Sequence, residues 1–125
     1  PPGVLVLDVA SGTTVNLTPD DEYACLPTWS SDGEKIAYFS ATTLMTMKAD
    51  GSDKAPVMTL RDAAQPTWSP DDRFVALHNR VTVKNKTTRD LFRVLTDGSG
   101  LQNLTNTTRV WESWPDWNPA WDPNG

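Results

Sequence analysis

Short apolar runs separated by turn residues organise this chain. Lys35-Ile36-Ala37-Tyr38-Phe39-Ser40 is one run, and Leu44-Met45-Thr46-Met47-Lys48 alternates apolar with polar. After the turn Ala49-Asp50-Gly51-Ser52 comes Val57-Met58-Thr59-Leu60. The same order then recurs. Arg73-Phe74-Val75-Ala76-Leu77-His78 leads to Leu91-Phe92-Arg93-Val94-Leu95, the turn Thr96-Asp97-Gly98-Ser99-Gly100, and Leu101-Gln102-Asn103-Leu104-Thr105. Runs of about 5–6 residues, rich in Val, Leu, Ile, Phe and Thr and bounded by Gly, Asp, Ser or Pro, predict strands. Asp-Gly between two such runs predicts a hairpin, because Gly accepts positive φ at no steric cost. No window carries a sustained i, i+3, i+4, i+7 apolar stripe with caps, so little helix is expected.

The runs are punctuated by a repeated turn. Pro66-Thr67-Trp68-Ser69-Pro70-Asp71-Asp72 nearly copies Pro27-Thr28-Trp29-Ser30-Ser31-Asp32-Gly33, and Pro115-Asp116-Trp117-Asn118-Pro119 is a third version. The stretch from Pro119 to Gly125 competes for that third turn. Trp29 to Trp68 is 39 positions and Trp68 to Trp117 is 49. The excess falls between the second and third strands, since Trp68 to Gly98 takes 30 positions against 22 from Trp29 to Gly51. That places an inserted loop at 79–90. Four short strands in about 40 residues match a propeller blade, a unit that needs neighbours to bury its apolar face. The expectation is an all-β chain of antiparallel four-stranded blades, about three in number. Residues 1–26 would form a half blade, 27–65 a blade, 66–114 a blade carrying the insertion, and 115–125 the start of the next. Trp29, Trp68, Ile36, Ala37, Phe39, Val75, Leu77, Val94 and Leu95 are the expected inter-blade core.

The ordered combination Pro-x-Trp-Ser-Pro-Asp-Gly, Ile-Ala-Tyr-Phe-Ser, Asp-Gly-Ser and Asn-Leu-Thr resembles the TolB-like (WD-type) β-propeller repeat over nearly the whole chain. Asp72 stands where that repeat has Gly, and Ser31 where it has Pro. The resemblance implies a non-enzymatic scaffold, protein-binding or assembly unit in the cell envelope or extracellular space, hence extracellular or periplasmic. The alternatives it implies are the non-catalytic propeller of a serine peptidase, or a self-assembling filament or surface-layer subunit. Closed propellers have roughly 4–8 blades. The chain is therefore expected to be a piece of a longer polypeptide, or to be completed by a protein partner or by other copies of itself.

Charge narrows the partners. A net charge of −5 over 125 residues argues against nucleic acid, which selects basic surfaces. No apolar run reaches the roughly 18 residues of a transmembrane helix. The cations are uneven: Arg80, Lys84, Lys86, Arg89 and Arg93 lie in and beside the insertion. They read as a solvated hairpin guarding a strand edge, or as a patch for an acidic partner. The tail holds Trp111, Trp114, Trp117 and Trp121, four of the six tryptophans. Pro115 and Pro119 oppose a helix there. An extended polyproline-like course would set Trp111, Trp114 and Trp117 on one side. That strip reads as packing between blades, as a sugar- or partner-binding strip, or as a site of Trp modification.

Candidate chemistry is sparse. Cys25 is the only cysteine, so no internal disulfide forms, and a small buried hydrophobe is its expected role. His78 is the only histidine, which excludes a zinc site of nitrogen and sulfur ligands and leaves a structural or solvent-facing role. Asp20-Asp21-Glu22, Asp71-Asp72 and Asp50 with Asp53 are oxygen-rich, but Asp serves turns by bonding its own backbone two residues on. Calcium is the weaker reading, and no other cofactor is expected. No Gly-x-Ser-x-Gly elbow exists, and Ser99 lacks the strand-to-helix context of one, so no enzyme activity is expected. Asn16, Asn85, Asn103 and Asn106 open Asn-x-Thr triplets, which are glycosylation acceptors in secreted eukaryotic proteins.

Overall fold

The computed structural model describes residues 3–122 and 124. Ten strands are present among them: β1 (Leu5–Leu7), β2 (Thr14–Asn16), β3 (Ala24–Trp29), β4 (Lys35–Ser40), β5 (Thr43–Lys48), β6 (Ala55–Thr59), β7 (Ala64–Trp68), β8 (Phe74–Val83), β9 (Lys86–Leu95) and β10 (Gln102–Asn103). They form a half blade β1-β2, a blade β3-β4-β5-β6 and a blade β7-β8-β9-β10, each an antiparallel meander in chain order. The fold is all-β, as the pattern predicts, and its sheets are the blades of a partial propeller. The two full blades approach each other along β3 and β7, their inner strands.

Strand alternation explains why β4 reads as a continuous apolar run. Side chains i and i+2 share a face, and both faces of β4 are covered. Ile36 and Tyr38 point toward the half blade, where they join Val4, Leu17, Ala24 and Met47. Ala37 and Phe39 point the other way, packing with Leu44, Leu60, Trp68, Val75, Leu77 and Val94 between the two blades. The outer rims also touch. The Asp-Gly turn of one blade lies on the outer strand of the blade before, so that a Cβ on Gly98 would strike the Val57 carbonyl and one on Gly51 would press on Leu17 at 3.2 Å.

One hydrogen bond recurs from blade to blade. Trp68 Nε1 donates to the Thr28 carbonyl at 3.1 Å, and Trp117 Nε1 donates to the Thr67 carbonyl at 3.1 Å. Each indole reaches back to the residue that precedes the tryptophan of the previous blade. The turn after each tryptophan is also the same, with Gly33, Asp72 and Trp121 N–H donating to the Ser30, Ser69 and Asn118 carbonyls. These equivalences fix the register of the third repeat on Trp117. Trp121 takes the position of Gly33 and Asp72, and its ring lies 4.9 Å from that of Trp117 and 6.1 Å from Phe74.

Four expectations are corrected. Trp29 is not core but 48% exposed. It faces the half blade, which has no inner strand among the described residues to offer an acceptor. Leu95 is only partly buried, beside the Asp-Gly turn of its own blade. Cys25 is exposed: its neighbour Ala24 takes the place against the half blade, and alternation turns Cys25 away from it. Partial desolvation of the thiol, and then the nearby Asp21 carboxylate, raise its pKa, which disfavours the reactive thiolate. Finally, the inserted loop at 79–90 is paired strand, which agrees with the hairpin reading of its cations. β8 and β9 stay in register from Phe74↔Leu95 to Val83↔Lys86. Lys84 and Asn85, with φ of 49° and 61°, make the tight primed turn that closes such a hairpin.

The two departures from the repeat are partners. The Asp72 carboxylate accepts from Ser31 N–H at 2.6 Å and from Asp32 N–H at 3.1 Å, across the blade boundary. A proline at 31 would have no N–H to give, and a glycine at 72 no carboxylate to receive it. Asp72 holds φ at 59°, a conformation unfavourable for a residue with a Cβ; the charge-assisted bonds offset that strain.

Replacing Trp68 with Phe, which keeps the ring and deletes the N–H, is expected to lower stability by about 1–2 kcal/mol in urea unfolding. Trp29→Phe should change it by less than about 0.5 kcal/mol. In a double-mutant cycle, Asp72→Gly should cost about 1–2 kcal/mol alone and at least about 0.5 kcal/mol less in a Ser31→Pro background. Strictly additive costs would show that the two positions are not coupled.

Candidate functional site

The start of each inner strand is irregular in the same way. Pairing shifts between Cys25 and Thr28 and again between Ala64 and Thr67. The extra residues are Leu26-Pro27 and Gln65-Pro66, and Trp114-Pro115 is the third copy. Leu26, Gln65 and Trp114 have φ of 53°, 57° and 57°, each directly before a proline. Left-handed backbone at a residue with a Cβ costs on the order of 1–3 kcal/mol and persists only where its surroundings enforce it. A β-bulge re-aims side chains at a sheet end, and here the two bulges, with the like-angled Trp114 before Pro115, open onto one place.

That place is a cleft of about 410 Å³ lined by Leu26, Pro27, Gln65, Pro66, Trp114, Pro115 and Asp116. Three proline rings, Leu26 and the indole of Trp114 make it apolar, and Gln65 and Asp116 supply the polar groups. Trp114 is 77% exposed, an unusual cost for the largest apolar side chain. Gln65 ties the site together. Its Oε1 accepts from Trp114 N–H at 2.9 Å and lies 2.8 Å from His78 Nδ1. Because Oε1 is the acceptor in both contacts, His78 carries its proton on Nδ1. His78 is buried on β8, a structural support for the cleft wall. Its burial, and then the Arg89 charge, hold its pKa below the ordinary value.

The other candidate residues fall into separate places. Arg80, Lys84, Lys86 and Arg89 lie on the outer half of the β8–β9 hairpin. Arg89 stacks over the Trp111 ring at 4.9 Å, and its backbone pairs with Trp111 and Glu112. Arg93 sits apart from them, 4.7 Å over the Phe74 ring. The tail tryptophans do not form a single strip: Trp117 packs between blades, Trp111 belongs to the hairpin, and Trp114 projects into the cleft. Asn85 is exposed at the hairpin turn, and Asn106 is exposed with φ of 49°. Asn16 Oδ1 accepts from Thr18 N–H. Asn103 is committed inward, where its Nδ2 donates at 2.7 Å to Asp90, a carboxylate with no exposed surface that also accepts from Thr107 Oγ1 at 3.3 Å.

The acidic turns use their carboxylates locally. Asp32, Asp50, Asp71 and Asp97 each accept the hydroxyl of a nearby serine at 2.6 Å. Among the described residues no three carboxylate, imidazole or thiol groups converge. No described helix is long and apolar enough to cross a membrane. Reading the repeat by its tryptophans missed Leu26 and Gln65. The available signal was the residue before the proline, which occupies the same place in all three repeats.

No protein-family model matches the chain, and no curated protein matches it in sequence. Its fold does match solved structures. A TolB-type protein from Agrobacterium tumefaciens superposes with a TM-score of 0.75 at 21% identity, covering 94% of this chain and 42% of that one. TolB from Acinetobacter baumannii gives 0.66 at 14% identity, over 82% of this chain and 26% of that one. The β-propeller domain of the trilobed protease from Pyrococcus furiosus, described as having an open velcro topology, gives 0.56 at 13%, over 79% and 32%. The chain thus spans less than half the length of each. The class is β-propeller, and within it the fold is TolB-like.

The lowered His78 pKa has a definite sign. An imidazole held neutral by the fold contributes fully above its unfolded value near about 6.5, and loses that contribution as pH falls through its folded pKa. A proton-carbon NMR titration is expected to place His78 below about 6.5. The Trp114 backbone amide resonance should shift with the same midpoint. Independent titration of the two would show that Gln65 does not couple them.

Proposed function

We propose that this protein is a non-enzymatic, TolB-like propeller module that binds a protein partner in the cleft formed by its repeated Pro-x-Trp bulges. The observation that carries the reading is the threefold recurrence of strained, non-glycine backbone aimed at one apolar cleft with a bare tryptophan in it. Strained backbone of this kind clusters at sites of function. Concave, mostly apolar sites with a few fixed polar groups are what binding surfaces require, and exposed Trp is a typical anchor. The likeness to TolB structures supports the propeller fold; a setting in the cell envelope, periplasmic or extracellular, and a role in assembly are part of the proposal.

A second reading is favoured by the likeness to the trilobed protease propeller. In it the module is the non-catalytic propeller of a peptidase, and the cleft admits substrate chains without strong preference.

Selection of a displayed random peptide library on the immobilised protein separates the readings. Peptides sharing a consensus, with affinity reduced at least about tenfold by Trp114→Ala and unchanged by Val9→Ala, are the expected result. Captured peptides without any consensus would favour the peptidase propeller. A consensus indifferent to both Trp114→Ala and Leu26→Ser would rule the cleft out as the binding site.

A further inference from the structure

The β8–β9 hairpin outgrows its blade, and one of its edges is left open. On the inner side, pairing with β7 stops at Ala64↔His78. Beyond it, Asn79 to Val83 continue as strand, still paired to β9. In an antiparallel ladder, residues alternate between those that exchange hydrogen bonds with the partner and those that face the other edge. The tight turn at Lys84-Asn85 makes Val83 and Lys86 a bonded pair. Counting back, Val81 and Asn79 bond to β9, whereas Thr82 and Arg80 turn their N–H and C=O groups outward. The outer edge of β9 confirms this phase, since Arg89 and Leu91 carbonyls accept from Glu112 and Leu104. Arg80 and Thr82 have no further backbone partner among the described residues.

The exposed charged side chains that the hairpin itself carries around this edge share one sign. Arg80 and Arg89 lie directly opposite each other in a non-bonded pair, the position where like charges are unfavourable. The sole ion pair of the hairpin among the described residues is a long one, Arg80 to Asp62 at 3.9 Å with both side chains about half exposed. Lys84 and Lys86 have none. Asp90, the hairpin's only carboxylate, is buried and faces the Asn103 amide instead. The hairpin is thus a local cationic arm on a chain of net charge −5.

We infer that the free β8 edge at Arg80–Val83 is a strand-addition site for an extended acidic segment of a partner protein. Main-chain bonds to Arg80 and Thr82 supply the pairing, and the surrounding cations supply the choice of sequence. The same charges that leave an acidic strand welcome oppose a second copy of this hairpin, because like-charged edges brought together repel. The edge is separate from the cleft and operates whether or not the cleft is filled. They are neighbours, however: His78, one bonding step below Arg80 on the same edge, contacts the cleft residue Gln65.

The probe is an acetylated, fluorescein-labelled alternating Glu-Val peptide of about eight residues, read by fluorescence anisotropy. The expected result is saturable binding that weakens at least about tenfold when alternate peptide amides are N-methylated, which keeps the charge and removes the pairing. Thr82→Pro should weaken it as much, since the Thr82 N–H makes no bond to β9 and its loss leaves the hairpin paired. Arg80→Glu with Lys86→Glu should do the same, and Trp114→Ala should have no effect. An alternating Lys-Val peptide should not bind. Equal binding of the N-methylated peptide to the unaltered protein would overturn the inference in favour of bare charge attraction, whatever becomes of the Thr82→Pro fold. Loss of binding with Trp114→Ala would move the site to the cleft. Self-association abolished by Thr82→Pro would assign the edge to a second copy. Failure of the Glu-Val peptide to bind would end it.

Discussion

The indole N–H of one blade donating to an inner-strand carbonyl of the blade before is the contact on which the rest depends. It occurs at Trp68 and again at Trp117, at the same distance and to the same kind of acceptor. Apolar burial holds the blades together but is non-directional, so it fixes neither their angle nor their register. A hydrogen bond from a rigid bicyclic ring does fix them, and a carbonyl left unpaired at the boundary would carry a desolvation cost. The inner strands are thereby brought close, the two bulges and the Trp114-Pro115 step are set side by side, and the cleft follows from their spacing. The same logic explains the exposure of Trp29. An equal side chain in an equal turn lies open where, among the described residues, no inner strand stands behind it.

Around that contact the chain has modified its repeat at two points. Ser31 and Asp72 exchange a proline and a glycine for a donor and an acceptor that meet across the boundary. Trp121 uses the position equivalent to Asp72 to lean on Phe74, an apolar solution at the same place. Position-equivalent residues thus bridge successive boundaries by different chemistry. A repeat protein gains stability from neighbour interfaces rather than from each unit alone, so variation accumulates where neighbours meet.

The features on which the proposed binding rests are concentrated where the repeat is irregular. The pre-proline bulges carry strain and open the cleft. The outgrown β8–β9 hairpin carries most of the local positive charge and an unsatisfied edge. Both features lie beside Gln65 and His78, which join the cleft wall to the hairpin through side-chain bonds. The regular parts, with both faces of β4 and β8 buried, provide a rigid frame. Irregular segments on a stiff support are where binding proteins in general meet their partners.

The sequence by itself determined the strands, their order and the blade unit. Strand identity is written in local alternation and in turn residues, and a repeated Trp turn reports a repeated unit directly. The cores of β4 and β8 were legible for the same reason, since runs such as Ile36 to Phe39 are apolar on both faces. Tertiary structure decided what depends on a neighbour. Trp29 and Trp68 sit in nearly identical turns, yet one is bare and the other buried, because burial belongs to the pair of blades and not to the turn. Repeat spacing locates the 79–90 insertion and its cations suggest a hairpin edge, but only the continued pairing shows that it is strand throughout. Leu26, Gln65 and Trp114 differ in side chain, and their likeness lies in a backbone angle that no residue letter records. The link between Ser31 and Asp72 spans 41 positions, and a contact of that range exists only once the blades have stacked.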